Sequence, residues 1–138
     1  MATAELYWTD AGPFPRSTLR GTKARGRTYE NKVAKVLKKE SEELDLFFRD
    51  HMWLDMDGIW IQPDFVLESP GGGALLLEAK LTYTRDAFEQ LVRYAHVLEP
   101  YYSSVAPILV CRNLTYDTPE PVRNFCDLTP WCTWHLFL

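Results

Sequence analysis

The chain has 138 residues, which leaves room for one domain of ordinary size, about 150 residues. Hydrophobic residues make up 46% of it and charged residues 25%, a composition that excludes a disordered, collagen-like or disulfide-dense chain. No apolar stretch approaches the ~18 residues of a membrane span, and no secretory signal opens the chain, so we expect an intracellular, cytoplasmic protein. The net charge of -4 is uneven, because residues 1–40 carry nine basic and four acidic residues, whereas residues 41–138 carry six basic and fifteen acidic ones.

The first part of the chain is predicted as an irregular basic lead-in over residues 1–25, followed by a single domain over residues 26–138. The lead-in contains Gly12-Pro13-Phe14-Pro15 and no sustained period. From Tyr29 onward, apolar positions recur at helical spacing, and lysines fill the other face. We therefore predict a first helix over residues 27–48. The basic residues before and within it suit contact with a polyanion, and a solvated arm is the alternative.

The middle of the chain alternates extended segments and turns. Short extended segments are predicted at residues 51–54, 59–61 and 65–67, with a turn at 55–58. The run Ser69-Pro70-Gly71-Gly72-Gly73 breaks the pattern. Residues 74–77 are continuously apolar, which predicts a strand covered on both faces.

The second half returns to helical spacing over residues 85–99 and then to an apolar strand at 105–110. A short helix at 119–126 and a final strand at 131–138 complete the prediction. The order helix, three strands, helix, strand, short helix, strand predicts an α/β fold with a central mixed sheet of about five strands flanked by helices.

Three charged residues stand out around the glycine turn. In a strand, Glu78 and Lys80 point to the same side. Asp64 and Glu78 each lie seven residues from Gly71, so a symmetric hairpin opposes them across the ladder, with Cβ atoms about 5 Å apart. Two carboxylates so close are tolerated if one is protonated or if a cation lies between them, and oxygen ligands suit magnesium. With Lys80 to hold a water molecule or stabilise charge, this set favours hydrolysis of a phosphodiester.

Pro63-Asp64, the hairpin and Glu78-Ala79-Lys80 together resemble the signature of the PD-(D/E)XK nuclease superfamily. The resemblance implies a restriction-endonuclease-like core with the element order α-β-β-β-α-β. It implies that Asp64 and Glu78 bind Mg²⁺ or Mn²⁺, that the backbone carbonyl of Ala79 is a further ligand, and that Lys80 positions the water.

The resemblance extends to the two predicted helices. Glu30 corresponds to a further acidic site residue on the first helix, where it shares the inward side with Val33 and Leu37. Gln90 and Tyr94 match the Gln-x-x-x-Tyr motif of RecB-like nucleases, which implies that they contact DNA or brace the site. For the phosphate contacts we expect basic residues around the first helix, namely Arg25, Arg27 and Lys32. Small stand-alone nucleases of this kind resemble those of phages and mobile elements. A phage-encoded protein would act in the cytoplasm of the host cell.

The cysteine and histidine patterns argue against two cofactors, an iron–sulfur cluster and a zinc ion. Three cysteines, Cys111, Cys126 and Cys132, do not form the four-cysteine set of iron–sulfur relatives, and we expect reduced thiols. The histidines His51, His96 and His135 lack zinc-binding spacing, so no zinc site is predicted.

Each site residue has a structural alternative. Asp64 could accept hydrogen bonds in a turn, and Glu78 could form an ion pair with Lys80. Glu30 could complement the first turn of its helix. Gln90 and Tyr94 could belong to an ordinary helix face.

The favoured function is a metal-dependent deoxyribonuclease whose partners are DNA and Mg²⁺ or Mn²⁺, with no membrane partner. RNA as substrate and a homo-oligomeric state stay open. A structure-selective endonuclease of the junction-resolvase type is the second hypothesis. A non-catalytic nucleic-acid-binding module that retains the fold is the third.

Overall fold

A computed structural model describes residues 6–10, 22–56 and 58–113. This part of the chain forms two α-helices, seven strands and one 3₁₀ turn at Glu99–Tyr101. In chain order the strands and helices are β1 (Trp8–Thr9), α1 (Thr22–Glu43), β2 (Phe47–Asp50), β3 (Trp53–Met56), β4 (Ile59–Ile61), β5 (Phe65–Glu68), β6 (Gly73–Thr82), α2 (Arg85–Leu98) and β7 (Ser104–Asn113).

The main sheet is mixed and has the strand order β2-β5-β6-β7. Its first two pairings are antiparallel, and β6 and β7 are parallel strands joined through α2. The predicted α/β class with a mixed sheet is thus confirmed. The described residues give this sheet four strands rather than about five. The helix predicted at 119–126 and the strand predicted at 131–138 lie outside those residues.

A second sheet, with the order β1-β3-β4, is antiparallel throughout and was not predicted. It begins in the segment predicted as an irregular lead-in, where Trp8 pairs with Leu54. That prediction is therefore wrong for residues 8–9 and also for residues 22–25, which are helical. A strand of two residues is too short to leave a period in the sequence, so only its pairing partner reveals it.

Both faces of the main sheet are covered, as the apolar run at 74–77 predicted. Leu75 and Leu77 of β6 belong to a buried cluster with Val33 and Leu37 of α1. The alternate residue Leu76 belongs to a second cluster, which includes Leu91 of α2 and residues of the small sheet. Alternation along a strand thus sends successive side chains into two separate cores.

Helix α1 starts and ends earlier than predicted. It ends at Glu43, where the N–H of Leu46 donates to the carbonyl of Ser41 at 2.8 Å and Asp45 adopts a left-handed φ of 57°. These are features of a Schellman ending, which glycine usually marks. Because aspartate takes that position, the sequence gives no stop signal. The phenylalanines that follow fit a helical stripe by spacing alone, yet they form β2.

The strands around the turn predicted at residues 55–58 also differ in part from their predicted bounds. Strand β4 matches its predicted bounds, whereas β3 begins at Trp53 instead of residue 51. His51 has a φ of 52°, which is incompatible with an extended strand. Helix α2 and strand β7 agree with their predicted positions to within a few residues. No helix among the residues described is both long and apolar enough to cross a membrane.

Candidate metal centre

The β5–β6 hairpin has the register that the sequence predicted. Phe65 pairs with Leu77 and Glu68 with Ala74, so the ladder is symmetric about Gly71. The N–H of Ser69 donates to the carbonyl of Gly73 at 2.9 Å, which extends this symmetry to the loop. One step beyond the other end of the ladder, the same register opposes Asp64 and Glu78.

Asp64 and Glu78 are in direct contact. The backbone N–H of Asp64 donates to Glu78 Oε1 at 3.3 Å, and the N–H of Ala79 donates to Asp64 Oδ2 at 2.9 Å. Glu78 is only 6% exposed. Burial, together with the charge of Asp64 and the hydrogen bond between the two side chains, raises the pKa of Glu78 to about 9. Burial and the charge of Glu30 also raise the pKa of Asp64. The pair therefore retains a proton at neutral pH when no cation is present.

Helix α1 brings Glu30 to this end of the sheet. Val33 and Leu37 are buried on the same side of the helix, as predicted, and fix how it packs. Glu30 Oε2 accepts hydrogen bonds from Arg27 at 3.2 Å and from His51 Nε2 at 3.1 Å. Burial alone would raise the pKa of Glu30, but the hydrogen bonds and charges of His51 and Arg27 outweigh it and lower that pKa. Glu30 is thus held as a carboxylate.

His51 is the site residue that the sequence analysis missed. Its Nε2 lies 3.5 Å from Asp64 Oδ1, and its Nδ1 is hydrogen-bonded to the carboxylate of Asp50. Burial disfavours the charged imidazole, but hydrogen bonds to Asp50 and Glu30 and the charges of Asp64 and Asp50 prevail, raising the pKa of His51 to about 9. The ring also packs edge-on against Phe65, with centroids 5.2 Å apart.

Strand pairing would have revealed His51. Asp50 pairs with Phe65 across the β2–β5 ladder, and the next step of that register brings His51 opposite Asp64. The N–H of His51 donates to the carbonyl of Asp64 at 2.8 Å. The helical spacing predicts residues 47 and 48 as the end of the first helix, and a helix there conceals the β2–β5 pairing. A second sequence signal, a pair of histidines at metal-binding spacing, is also missing, because no other histidine lies at that spacing from His51.

Among the residues that the structure describes, Glu30, His51 and Asp64 form a group that could hold a metal ion. Each offers one ligand atom, and the three atoms lie within 4.8 Å of one another. Two carboxylate oxygens and one imidazole nitrogen suit a divalent cation. Glu78 contacts Asp64 but is not a member of this group. The centre therefore differs from the prediction by including a nitrogen donor. Metal binding by Glu78 and by the Ala79 carbonyl stays a prediction.

Lys80 lies on the same face of β6 as Glu78 but reaches solvent. Its side chain is exposed and forms no ion pair with any residue of the described segments. The alternative of a close Glu78–Lys80 ion pair is therefore wrong. Lys80 acts on Glu78 only through its charge, which favours the carboxylate form. Its ammonium group, which has no ion-pair partner among the described residues, thus lies on the same strand face as the buried Glu78.

Gln90 and Tyr94 contact each other on α2. Gln90 Nε2 donates to Tyr94 Oη at 2.8 Å, while the ring of Tyr94 packs against the core and Gln90 is exposed. Helix α2 covers the sheet face to which Glu78 belongs by strand alternation. Neither residue bonds to the acidic residues within the described segments, so their part in the site stays a prediction.

The predicted phosphate-binding residues lie on α1. Arg27 is 45% exposed and bonded to Glu30, at the edge of the acidic group. Lys32 is exposed, as are the lysines at 35, 38 and 39, and none of the four pairs with an acidic residue in the described part of the chain. Arg25 belongs to the first turn of α1, and its side chain lies outside what the structure describes.

Comparisons with protein-family models, with curated proteins and with solved structures find no match to this chain.

Proposed function

We propose that this protein is a metal-dependent deoxyribonuclease with a core of the PD-(D/E)XK type. The observation that carries the proposal is the contact between the buried Glu78 and Asp64 at the point where Glu30 and His51 also converge. A buried pair of carboxyls is destabilising unless a proton or a cation compensates it. A destabilising arrangement of this kind is best explained by a function that requires a bound cation.

The order of elements supports the same proposal. Helix α1 precedes the β5–β6 hairpin, and α2 then connects β6 to the parallel strand β7. With β2, which pairs with β5, the main sheet and its two helices have the order α1, β2, β5, β6, α2, β7, and a restriction-endonuclease-like core has the same order α-β-β-β-α-β. The small sheet of β1, β3 and β4 is an addition to that core.

Each site residue has a role in the proposed reaction. Asp64, Glu30 and Glu78 would hold the divalent ion, with the Ala79 carbonyl as a further oxygen donor. The ion, when bound, supplies charge neutralisation at the phosphate and lowers the pKa of a coordinated water. Lys80 orients the attacking water through its ammonium group, which is free of any ion pair in the described part of the chain. To serve as a ligand, Glu78 would have to give up its proton, because a ligating carboxyl must be ionised.

Substrate contacts follow from charge and exposure. Lys32 and Arg27 lie on the helix that carries Glu30, so a phosphate chain bound at the site meets positive charge there. Gln90 and Tyr94 offer an amide and a phenol on α2 for hydrogen bonds to the sugar–phosphate backbone. These contacts do not distinguish DNA from RNA, and parallel digestion of both polymers decides between them.

The test is digestion of plasmid and oligonucleotide DNA with Mg²⁺ or Mn²⁺. We expect Asp64→Asn and Lys80→Ala to abolish cleavage while the circular dichroism spectrum is unchanged. Glu89→Gln is a matched control, since Glu89 is an exposed α2 residue bonded to Arg85. Undiminished cleavage by Asp64→Asn and Lys80→Ala would refute the assignment.

The other two hypotheses predict different results in the same assay. A junction-resolvase-type enzyme cleaves four-way junctions in preference to linear duplexes and is a dimer in light scattering. A non-catalytic nucleic-acid-binding module binds DNA but cleaves no substrate with either ion.

A further inference from the structure

The small sheet has an open edge at β4. Met56 pairs with Ile59 across a connection of two residues, in which Gly58 has a φ of 89°. A hairpin of this length closes on a pair that exchanges both backbone hydrogen bonds, so the next pair, Asp55 and Trp60, exchanges none. The N–H and the carbonyl of Trp60 therefore point away from β3. Within the described segments no strand lies beyond β4, so these two groups are available to another strand.

The outer face of the small sheet is aromatic and acidic. Strand alternation and register place Trp53, Asp55 and Trp60 on this face, and the β1–β3 register, continued by one residue, adds Tyr7. The rings of Trp53 and Trp60 meet edge to face with centroids 6.3 Å apart. Tyr7 is 78% exposed, and Asp55 is exposed beside it. Aromatic rings beside a carboxylate suit ammonium and guanidinium groups, through cation–π contacts and ion pairs.

The inner face of the small sheet is apolar and extends beyond the core at β4. Leu54 and Ile61 are buried on it and pack with residues of α2 in one cluster. Ile59 lies on the same face, opposite Met56, yet is 68% exposed. Successive side chains of a strand point to opposite faces. A strand that fits this edge therefore alternates apolar residues, which cover Ile59, with basic residues, which contact Trp60.

The charge of the small sheet decides which partner it complements. Residues 6–10 and 52–62, which contain its three strands, include three aspartates and no Lys or Arg. Arg49 of β2 lies over the Trp8 ring but is bonded to Glu68, and the exposed lysines of α1 belong to another element. A nucleic acid, or a second copy pairing through the same edge, would bring negative charge against negative charge. A basic segment would neutralise it.

We propose that the outer edge of β4 is a docking site for an extended segment of a partner protein in which Lys or Arg alternates with apolar residues. Backbone hydrogen bonds to Trp60 hold the segment, and the two faces of the sheet select its side chains. This role does not depend on the proposed nuclease activity. The structural alternative is an edge that binds nothing, because a strand of three residues with acidic neighbours resists pairing.

The test uses fluorescently labelled peptides of about ten residues, long enough to form one ordinary strand, with the full chain. One peptide alternates Lys with Val, and a second has the same composition with all its lysines first. A third alternates Glu with Val, and an oligothymidylate of similar length represents nucleic acid. Anisotropy measures affinity, and hydrogen exchange of the Trp60 amide, followed by nuclear magnetic resonance, reports the backbone contact. Sedimentation of the chain alone measures self-association.

Three variants change the docking surface and two serve as controls. Tyr7→Ser and Ile59→Ser remove exposed apolar side chains, and Asp55→Asn removes a charge while keeping an oxygen that accepts a hydrogen bond. Val97→Ser and Glu89→Gln make the same kinds of change at exposed positions of α2. Circular dichroism confirms that each variant is folded.

We expect the alternating Lys–Val peptide to bind at least about fivefold more tightly than the peptide with its lysines first. It should slow exchange of the Trp60 amide. Its affinity should fall roughly two- to fivefold in each surface variant and stay unchanged in both controls.

Equal affinity for the two lysine peptides, with unchanged exchange at Trp60, would mean non-specific attraction to an acidic surface and would overturn the proposal. Tighter binding of the Glu–Val peptide or of oligothymidylate would overturn it too, as would self-association that Ile59→Ser abolishes. If no peptide binds, the edge is protected and is not a docking site.

Discussion

The backbone N–H of Asp64 donates to Glu78 Oε1 at 3.3 Å, so two acidic residues of adjacent strands contact each other at the end of a hairpin. Burial and the charge of Asp64 raise the pKa of Glu78, while burial and the charge of Glu30 raise the pKa of Asp64, so the ionised forms of these carboxyls conflict here. The metal-free protein resolves this conflict with a bound proton. A divalent cation would resolve it in another way, which links ion binding, pH and stability.

Glu78→Gln should stabilise the metal-free protein at alkaline pH and weaken Mn²⁺ binding. The glutamine oxygen can still accept from the N–H of Asp64, and its amide nitrogen can donate to the Asp64 carboxylate as the protonated acid does. Because glutamine carries no charge at any pH, no buried carboxylate forms. Thermal unfolding at pH 6 and pH 9 in a chelator measures the effect. Glu89→Gln should leave both melting temperatures unchanged, and an equal gain in that variant would contradict the explanation.

The melting temperature of the metal-free protein should fall by several degrees between pH 6.5 and pH 9. The pKa of His51 is raised from 6.5 to about 9 and that of Glu78 from 4.5 to about 9. In this window the folded state holds protons that the unfolded chain has released, so a rise in pH favours unfolding. The lowered pKa of Glu30 acts below this window. Thermal unfolding across the range checks the slope, and a flat profile in chelator would show that the site holds no such protons.

Mn²⁺ or Mg²⁺ should bind with release of protons at pH 7. The carboxyl of Glu78 and the imidazole of His51 are both protonated there in the metal-free state, and ligation requires their ionised and neutral forms respectively. Calorimetric titrations in two buffers of different ionisation enthalpy give the number of protons released. His96→Asn should release the same number as the unmodified chain. Equal heats in both buffers would mean that the proposed ligands lose no proton.

Lys32→Ala should reduce the salt dependence of DNA binding, lowering the slope of log K against log salt by about one. Lys32 lies on α1 less than one turn from Glu30 along the helix axis, so we expect it to meet a phosphate of DNA bound at the proposed site. Lys39→Ala is the matched control, because Lys39 is exposed on the same helix but roughly 10 Å further along its axis. Fluorescence anisotropy in a salt series measures both. Equal slopes for the two variants would indicate a solvated lysine face without a defined DNA position.

The hairpin and the acidic pair follow from the amino-acid sequence alone. Strand alternation and the glycine run around Gly71 contain enough information to oppose Asp64 and Glu78, and the structure has that register. The helical spacing of Val33 and Leu37 likewise placed Glu30 on the inward side of its helix. These relations are local, because each depends on the period of one element or on one short loop.

The composition of the metal group, in contrast, depends on contacts between distant segments. His51 reaches Asp64 through the β2–β5 ladder and reaches Glu30 through the packing of α1 against the sheet. Both relations join segments distant in the chain, and the first depends on a helix end that aspartate, not glycine, marks at Asp45. The small sheet follows the same logic, because Trp8 becomes a strand residue only by pairing with Leu54. Period and propensity act within a segment, whereas pairing and packing act between segments, and the latter brought an imidazole among the carboxylates.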